Sequence, residues 1–517
     1  MIVSKFQWLP SRFAAFVVLV SMSLSGYATA QTTTAQLKIA PRDPAEDKFY
    51  GVSVAVEGNT SLISARDFSE SAVYFVQTDT GQQMLKLTPG DLGANGFDDG
   101  VAISNGIAII GSALDQVGPD FQGAAYLYHV ASGQHQRLIA IDGEENDKFG
   151  RAVAISGNLA VVGAPEDNGV DIRSGSVYVF DVTTRAQLFK LTADDAAANA
   201  YFGSSVAISG NTIVVGAPQA DGVDLFSGTA YVFDATTGQQ LFKLEGSDVG
   251  PDDAFGYSVA VSGDTAIIGN FLYGGSSAGS VYLFDTTTGQ QIARLNESQL
   301  GHPGETFIQF GVDVAAKGDL MVTNGRVFDG TDLIGRAYLF DLNTGALIAE
   351  LEAPQGADDL VFAFSVAISG TTVIAGDPYD ADAGPYAGAA YLVNLDATIT
   401  QQPVGVIADP HGTAQFEVQA SGPVELSYQW YRSGVAMSDT GRFSGTDTPT
   451  LTITDVRQSD EVIYRCVVTG LNETSTQPVV LALRPDPNAC AADLNGDGVL
   501  NFFDVSVFLS AYSAGCP

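Results

Sequence analysis

Short apolar runs rich in β-branched residues, each closed by a turn, recur along most of the chain. In the clearest copy, runs at residues 205–209 and 212–215 are separated by a Gly-Asn pair. Both turn residues tolerate positive φ, as a two-residue hairpin requires. Runs at residues 228–233 and 239–244 follow, joined by an Asp-Ala-Thr-Thr-Gly turn. One copy therefore predicts four consecutive short strands.

This four-strand pattern occurs seven times, and each copy begins approximately Phe-Gly-x-Ser-Val-Ala-Ile-Ser. The central valines follow one another at intervals of 47 to 55 residues, at Val54, Val101, Val153, Val206, Val259, Val314 and Val366. A repeat of that length fits one blade of a β-propeller and is too long for a helical solenoid unit. The pattern predicts an all-β chain in which residues 31–399 form a seven-bladed propeller.

The two ends of the repeat array differ from its middle. The last copy stops at Asn394 without a fourth strand, whereas residues 35–39 have the pattern of a fourth strand that belongs to no copy. We expect residues 35–39 to complete the last blade, because closing the ring in this way removes open sheet edges.

The Phe-Gly pairs and Gly-Ala-Pro triplets resemble FG-GAP repeats, the blade motif of integrin α-chain propellers. They are Phe149-Gly150, Phe202-Gly203, Phe255-Gly256, Phe310-Gly311, Gly163-Ala164-Pro165 and Gly216-Ala217-Pro218. Integrin-type copies carry an acidic calcium loop between their first two strands. A two-residue turn stands there in this chain, so the resemblance implies no calcium at that place.

A second resemblance is weaker. Residues 230–244 are similar to the blade repeat of quinoprotein dehydrogenases, a family that docks its blades with tryptophan. The chain has two tryptophans, Trp8 and Trp430, and neither lies in the predicted propeller. The quinoprotein interpretation is therefore not favoured.

After residue 400 the repeat gives way to a different alternating pattern. Trp430, and Tyr464 two residues before Cys466, resemble the landmarks of an immunoglobulin-like domain over residues 400–484. The resemblance implies that Trp430 is buried and that Tyr464 forms a tyrosine corner. Val418 stands where the family has its partner cysteine, so we expect Cys466 to be a buried free thiol. A structural spacer is favoured over a specific binding module.

Residues 485–517 contain a candidate calcium loop. Oxygen-bearing side chains at loop positions 1, 3, 5, 9 and 12, with glycine at position 6, are what an EF-hand loop requires. The predicted ligands are Asp493, Asn495, Asp497, Asn501 and Asp504 through side chains and Val499 through its carbonyl. Apolar residues at helical spacing follow, which predicts a small EF-hand-like loop-helix module. An acidic turn before a helix is the alternative.

This C-terminal segment resembles a bacterial dockerin of the type bracketed by cysteines. The resemblance implies a disulfide between Cys490 and Cys516 and a cohesin-like or cell-envelope partner. Dockerins usually carry two calcium repeats, and this segment carries one, so a complete cohesin-type interface is not implied.

The chain is strongly acidic, with 59 Asp and Glu against 23 Lys and Arg and a formal net charge of −36. Nucleic acid and anionic membranes are disfavoured as partners, whereas cations are attracted. A solvated extracellular surface explains the excess acid more simply than a charge-based binding role does.

The first thirty residues predict a secretory signal. Lys5 and Arg12 precede or flank an apolar run at residues 13–24, and Ala-Thr-Ala stands before Gln31. Other stretches are too short or too polar to span a bilayer. We expect a secreted or cell-surface protein with no membrane span in its mature chain.

Candidate chemistry within the repeats is sparse. Acidic clusters precede several Phe-Gly pairs and could form a cation-binding rim, but solvated turns are the favoured interpretation. The acidic clusters are Glu46-Asp47, Glu144-Glu145 with Asp147, Asp194-Asp195, Asp252-Asp253 and Asp358-Asp359. The four histidines show no metal-ligand spacing, and we expect no catalytic residue.

The sequence favours a secreted, non-enzymatic binding or adhesion scaffold for an extracellular protein or polysaccharide. The alternative is an extracellular polysaccharide-active enzyme of a dockerin-bearing complex. A concave site with convergent titratable side chains would favour the enzyme. Binding residues should lie where the copies differ most, at residues 270–278, 296–306 and 324–334.

Overall fold

The computed structural model describes residues 31–484, apart from residues 43–47, 67–70, 98–99, 272–278, 301–305, 329–332, 355–360 and 423, together with position 509. It confirms an all-β chain with seven sheets in a propeller arrangement, followed by an immunoglobulin-like sandwich. Each sheet corresponds to one sequence copy, so we number the blades 1 to 7 in chain order.

Within every blade, the strands are paired in sequence order, with the first strand at the propeller axis. The strands of blades 1 to 4 are Tyr50–Glu57, Thr60–Ala65, Ala72–Gln77 and Gln82–Leu87; Val101–Ser104, Ile107–Ser112, Ala124–His129 and His135–Leu138; Ala152–Ser156, Leu159–Ala164, Ser176–Asp181 and Gln187–Leu191; and Ser205–Ser209, Thr212–Ala217, Thr229–Asp234 and Gln240–Leu244. Those of blades 5 and 6 are Phe255–Ser262, Thr265–Asn270, Ser280–Asp285 and Gln291–Leu295; and Thr306–Lys317, Leu320–Phe328, Leu333–Asp341 and Leu347–Glu352.

Blade 7 takes its fourth strand from the N-terminus, as predicted. Its own strands are Ser365–Ser369, Thr372–Asp377 and Ala389–Asn394, and Leu37–Ile39 pairs antiparallel with the last of these. The sequence pattern did not reveal a further strand, Gln31–Thr34, which lies parallel to the fourth strand of blade 6. The N-terminal segment therefore joins two neighbouring blades.

The hydrophobic core of the propeller lies between blades. Seven clusters of buried side chains are found among the described residues, and each combines the facing sides of two adjacent blades. One of them joins blade 7 to blade 1 through Ile374, Leu392, Tyr50 and Ile63. Because each blade buries both faces against its neighbours, the ring stabilises sheets that would be marginal alone.

The glycine of the Gly-Ala-Pro triplet sets how closely two blades approach. A Cβ atom on Gly216 would lie 2.0 Å from the carbonyl oxygen of Gly256 in the next blade. The same approach occurs at Gly111, Gly163, Gly269 and Gly376. In blade 6, Asn324 replaces this glycine, and its Nδ2 donates to the carbonyls of Ala363 (2.9 Å) and Phe364 (3.2 Å).

A tyrosine, a carboxylate and a basic side chain form a network near the outer strands of several blades. In blade 3, Tyr178 donates to Asp167 at 2.7 Å, and Lys190 lies 2.9 Å from the same carboxylate. In blade 7, Tyr391 donates to Asp380 at 2.6 Å, and Lys38 contacts Asp380 at 2.6 Å. The N-terminal strand therefore supplies the basic member of the last network.

The immunoglobulin-like domain has two facing sheets and a short ladder beside the propeller. One sheet contains Val406–Ala408, Ser427–Arg432, Val435–Ala436, Ile463–Thr469, Glu473–Ser475 and Val479–Leu483, the other Thr413–Glu417, Phe443–Ser444 and Thr450–Thr454, and the ladder pairs Thr398–Gln401 with Gln419–Ser421. Helical turns occur at Pro89–Leu92, Glu297–Gln299 and Gln458–Asp460. Within the described ranges, no helix is both long enough and apolar enough to cross a bilayer.

The predicted landmarks of this domain are confirmed. Trp430 and Cys466 are fully buried and directly paired on adjacent strands, and the Tyr464 hydroxyl donates to the Asp460 carbonyl at 3.2 Å. Val418 is fully buried in the same core, and Cys466 is a free thiol. Burial raises the pKa of the Cys466 thiol to about 11, so it remains neutral and packs as a small apolar group.

The blade contact at Gly216 generates a stability prediction. Gly216→Ala should destabilise the propeller by about 1–3 kcal/mol, because the added methyl group overlaps a backbone carbonyl that has little room to move. Gly250→Ala is the matched control, since the nearest atom to its added Cβ is 3.9 Å away. Denaturant unfolding should show a lower midpoint for the first variant alone. Equal midpoints would contradict the proposed limit on blade spacing.

A second prediction concerns ring closure. Burial lowers the pKa of Lys38, but the hydrogen bonds and charges of Asp380 and Asp382 outweigh this effect and raise it overall. Lys38→Met leaves Asp380 buried without its cation and should destabilise the chain by about 1–3 kcal/mol. Lys190→Met removes the equivalent cation from blade 3.

Hydrogen exchange distinguishes these two lysine variants. Only Lys38→Met should accelerate amide exchange in Leu37–Ile39. Lys38 lies in this strand, which is far in sequence from the other strands of blade 7 and is held to them by pairing and side-chain contacts. Rapid exchange at these amides in the unmodified protein, with Ala389–Asn394 protected, would argue against closure by the N-terminus.

Candidate binding site: the axial pocket

The first strands of all seven blades surround a pocket at the propeller axis. Its volume is about 660 Å³, within the range typical of small-molecule sites. Two positions of the repeat line the wall of the pocket, because both lie at the start of the first strand. One is the residue directly after Phe-Gly, and the other is the next residue, which is called the serine position here. Ser205 and Ser258 donate from this wall to the carbonyls of Gly256 (2.8 Å) and Gly311 (3.0 Å) in the next blade.

Two positions of the repeat that face the pocket differ in residue type from blade to blade. The position after Phe-Gly is occupied by Val52, Arg151, Ser204, Tyr257, Val312 and Phe364 in blades 1 and 3 to 7. The position after Gly-Ala is Arg66, Ala113, Pro165, Pro218, Phe271, Arg326 and Pro378 in blades 1 to 7. Positions that pack between blades are nearly uniform, so the repeat supplies a constant frame with a variable lining.

The lining divides into a basic side and an aromatic side. Arg66, Lys148 and Arg151, from blades 1 and 3, contribute positive charge. Tyr257 and Phe364, from blades 5 and 7, contribute aromatic surface. The described lining thus has three basic side chains against two carboxylates, Glu166 and Asp313, although the chain as a whole has a net charge of −36.

Asp313 takes the place of the wall serine in blade 6. Its carboxylate oxygens accept N–H bonds from Val314 (3.1 Å) and from Val366 in blade 7 (2.8 Å). Burial raises the pKa of Asp313 to about 7, although both backbone hydrogen bonds act in the opposite direction. Glu166, another pocket carboxylate, lies 3.7 Å from the Arg173 guanidinium.

A smaller recess of about 160 Å³ adjoins the axial pocket, because Tyr257, Val312 and Phe364 line both. Phe271 and Arg326 also line this recess. They come from residues 270–278 and 324–334, two of the stretches predicted to differ most between copies. Residues 272–278 and 329–332 lie outside the described part of the chain.

The predicted calcium ligands and cysteines are not among the described residues. Asp493, Asn495, Asp497, Val499, Asn501 and Asp504 lie outside them, as do Cys490, Cys516 and the predicted signal at residues 1–30. Of residues 485–517, the structure describes position 509 alone, so the predicted calcium loop and disulfide stay predictions.

The acidic clusters of the propeller lie in turns and networks. Asp253 accepts from the Gly250 amide at 2.7 Å, and Asp195 accepts from the Tyr231 hydroxyl at 2.9 Å. His129 and His135 flank the outer hairpin of blade 2, as predicted. In the part of the chain that the structure covers, no group of three or more His, Cys, Asp or Glu side chains is placed to hold a metal ion.

Sequence reasoning missed Arg66, Arg151, Asp313 and Tyr257 as pocket residues. The available signal was the identity of the repeat positions: each of these residues occupies a position that lies near the axis in every blade. Alignment of the seven copies with one another would have found them.

The comparisons with known proteins agree with this architecture. Residues 133–180, 186–233, 239–284 and 346–393 match the FG-GAP repeat, and residues 398–469 match the immunoglobulin domain. Each FG-GAP match extends from the fourth strand of one blade to the third strand of the next. Because each match begins with the fourth strand of the preceding blade, the last match ends without a fourth strand for blade 7, and the N-terminal strand supplies it.

Similar solved structures include two titin domains and a propeller. Titin M4 is 22% identical over 17% of this chain and 96% of its own, with a TM-score of 0.16, and titin M3 is 21% identical over 18% and 99%, also at 0.16. The Dos1 propeller is 12% identical over 64% of this chain and 74% of its own, with a TM-score of 0.38. No curated protein matches the chain significantly in sequence. The chain therefore carries FG-GAP repeats in its propeller, followed by an immunoglobulin-like domain.

Proposed function

We propose that this chain is a secreted, non-enzymatic binding protein whose axial pocket takes an extracellular protein segment or polysaccharide. The observation that carries the proposal is the distribution of variable residues. At the two repeat positions that lie near the axis, the residues that differ between blades face one pocket. They include Arg66, Arg151, Tyr257 and Phe364. Blade packing requires none of these side chains, because other blades place serine, valine or proline at the same positions.

The remaining segments fit an adhesion scaffold. The immunoglobulin-like domain follows blade 7 directly, and Asn472 donates to Asp396 at 2.9 Å across the junction. It would act as a spacer. Residues 485–517 would bind Ca²⁺ and dock the protein to a cohesin-like or envelope partner, with a disulfide between Cys490 and Cys516 stabilising the module.

Filling the axial pocket tests the binding proposal. Ser204→Trp places a large side chain among the pocket residues, whereas Gln82→Trp places it on an exposed position of blade 1. We expect ligands found by the unmodified protein on glycan and secreted-protein arrays to lose at least about tenfold in affinity for Ser204→Trp only. Unchanged affinity would put the ligand elsewhere on the propeller.

Calcium titration tests the C-terminal proposal. Calorimetry on the full chain should show saturable Ca²⁺ binding that is lost in Asp493→Ala, because the first loop position supplies a charged ligand oxygen. Asp319→Ala, an exposed acid in blade 6, is the control for a general loss of negative charge. Equal binding by the two variants would remove the predicted loop as the site.

A second candidate, a polysaccharide-active enzyme, is favoured by one observation. With its pKa near 7, Asp313 could carry a proton at neutral pH, as a general acid must. Two features oppose this role: backbone N–H groups hold both carboxylate oxygens, and Glu166 already faces Arg173. Glycoside hydrolysis generally needs a second carboxylate with its own environment. Turnover of a secreted polysaccharide that is abolished by Asp313→Asn would establish the enzyme instead.

Asp313 also generates a prediction for stability against pH. Because its pKa is raised in the folded state, the folded protein binds this proton more tightly than the unfolded chain does. Stability should therefore fall as pH rises from about 4 to about 7, by up to ~4 kcal/mol. Asp313→Asn should flatten that fall, and Asp264→Asn, on an exposed turn, should not. Parallel pH profiles for all three proteins, from denaturant unfolding, would contradict the raised pKa.

A further inference from the structure

Arg326 stands in the recess beside the axial pocket without a hydrogen bond or ion pair among the described residues. It occupies the position after Asn324-Gly325, where blades 3 and 4 have Pro165 and Pro218. Its side chain is only partly exposed. A guanidinium carries five N–H donors, so this one is partly shielded from water while its donors remain available.

The surroundings of Arg326 make this arrangement costly for the free protein. Burial in the recess lowers the pKa of Arg326, and the charges of Tyr379 and Asp377 in blade 7 compensate only in part. An arginine nevertheless stays protonated at any physiological pH. A partly desolvated cation of this kind gains most when an anion enters beside it.

Aromatic side chains line the recess, and others lie outside it in blade 7. Tyr257 and Phe271 of blade 5 lie with ring centroids 5.1 Å apart, and the Tyr257 side chain is 39% exposed. Tyr379, whose charge acts on Arg326, forms a second pair with Tyr386, 5.7 Å apart; both are more than 40% exposed and neither lines the recess. The recess itself is lined by the rings of Tyr257, Phe271, Phe362 and Phe364, which offer apolar surface beside one positive charge.

Size limits what the recess can hold. At about 160 Å³, it is smaller than a typical drug-sized site but large enough for one ring or one charged substituent. The recess adjoins the larger axial pocket, and the side chains of Tyr257 and Phe364 line both cavities. A ligand longer than one ring can therefore extend from the recess into the pocket.

We propose that Arg326 binds a single oxyanion group carried on a sugar ring, so that the propeller recognises an acidic polysaccharide. This inference rests on the proposed binding function and names its ligand class. The carboxylate of a uronic acid or the sulfate ester of a sulfated sugar supplies the same chemistry: two oxygens that accept parallel N–H bonds from one guanidinium. The apolar face of the sugar ring packs against the flanking aromatic rings.

An acidic polysaccharide fits better than an acidic peptide or a phosphate. A phosphate dianion is matched by several cations, whereas the described lining of the recess has one. A peptide carboxylate satisfies Arg326 but leaves the aromatic rings that line the recess without a flat partner. A repeating polymer of charged rings uses the charge, the aromatic surfaces and the basic side of the axial pocket together.

The test is calorimetric binding of defined oligosaccharides to the full mature chain. The probes are a galacturonate tetramer, its fully methyl-esterified form, a sulfated galactose oligomer, and an acidic peptide with a free C-terminus. The variants are Arg326→Gln and Arg326→Lys. Arg185→Gly is the matched charge control, because Arg185 lies in the outer hairpin turn of blade 3, where other blades have glycine.

We expect the unmodified protein to bind the galacturonate or the sulfated oligomer, and the stronger of the two identifies the source of the oxyanion. Arg326→Gln should weaken that binding at least about tenfold. Arg326→Lys should weaken it less, because the charge remains but the paired donors are lost. Arg185→Gly should bind as the unmodified protein does, and the methyl ester should bind weakly to every form.

The thermal midpoint of the free protein provides a second readout. Arg326→Gln should leave it unchanged or raise it, since the variant removes a partly buried charge that makes no hydrogen bond or ion pair among the described residues. A lower midpoint together with weaker binding would indicate a structural role and overturn the assignment.

Other outcomes separate this inference from the proposed function. If no charged oligosaccharide binds, or if Arg326→Gln binds as well as the unmodified protein, the inference is wrong. Preferential binding of the acidic peptide would also overturn it. In each of these cases, the proposed function would still hold if a different ligand bound the unmodified protein but did not bind Ser204→Trp. The axial pocket would then remain the binding site.

Discussion

The propeller depends on one steric constraint, the approach of a glycine in five of the seven blades to a backbone carbonyl of the next. Gly216 meets Gly256 in this way, at a distance that leaves no space for a side chain. The contact sets the spacing and tilt of neighbouring sheets, and the apolar clusters between blades fit that spacing. Where blade 6 departs from the rule, Asn324 compensates with hydrogen bonds to the carbonyls that the glycine would otherwise approach. In blade 1, Ser64 stands at the same position, and its hydroxyl bonds to the backbone of Ser53 in its own blade.

Much of the fold could be predicted because its rules are local and repeated. Alternation and the Gly-Asn turns specify the strands, the interval between copies specifies a blade, and the missing fourth strand at Asn394 specifies the partner of residues 35–39. Gln31–Thr34 escaped prediction because a short polar strand on an outer edge has no pattern of its own. In the sandwich, Trp430 and Tyr464 were predictable because each has a fixed neighbour in that fold.

The pocket was harder to predict because its residues are neither close in sequence nor repeated between blades. Arg151 and Tyr257 occupy the same repeat position in different blades, but nothing local marks them as neighbours of one cavity. Asp313 looks like a minor departure from serine until the structure shows two backbone N–H groups directed at it. Repetition explains what each blade shares with the next, whereas recognition depends on residues that are brought together only when the ring is complete. Blades 6 and 7 contribute most of the described residues that line the recess, and blade 5 adds Tyr257 and Phe271.

The N-terminal strand has a consequence for the order of folding. Gln36 and Asn394 exchange hydrogen bonds although they are 358 residues apart in the sequence. The segment that is made first therefore reaches its place last, after blade 7 exists, and until then the chain carries an unpaired strand edge at each end of the array. Contacts of such long range are slow to form, and open edges in the interval favour association between chains. Delivery of the N-terminus to blade 7 is thus the step at which the protein passes from an aggregation-prone open array to a closed ring.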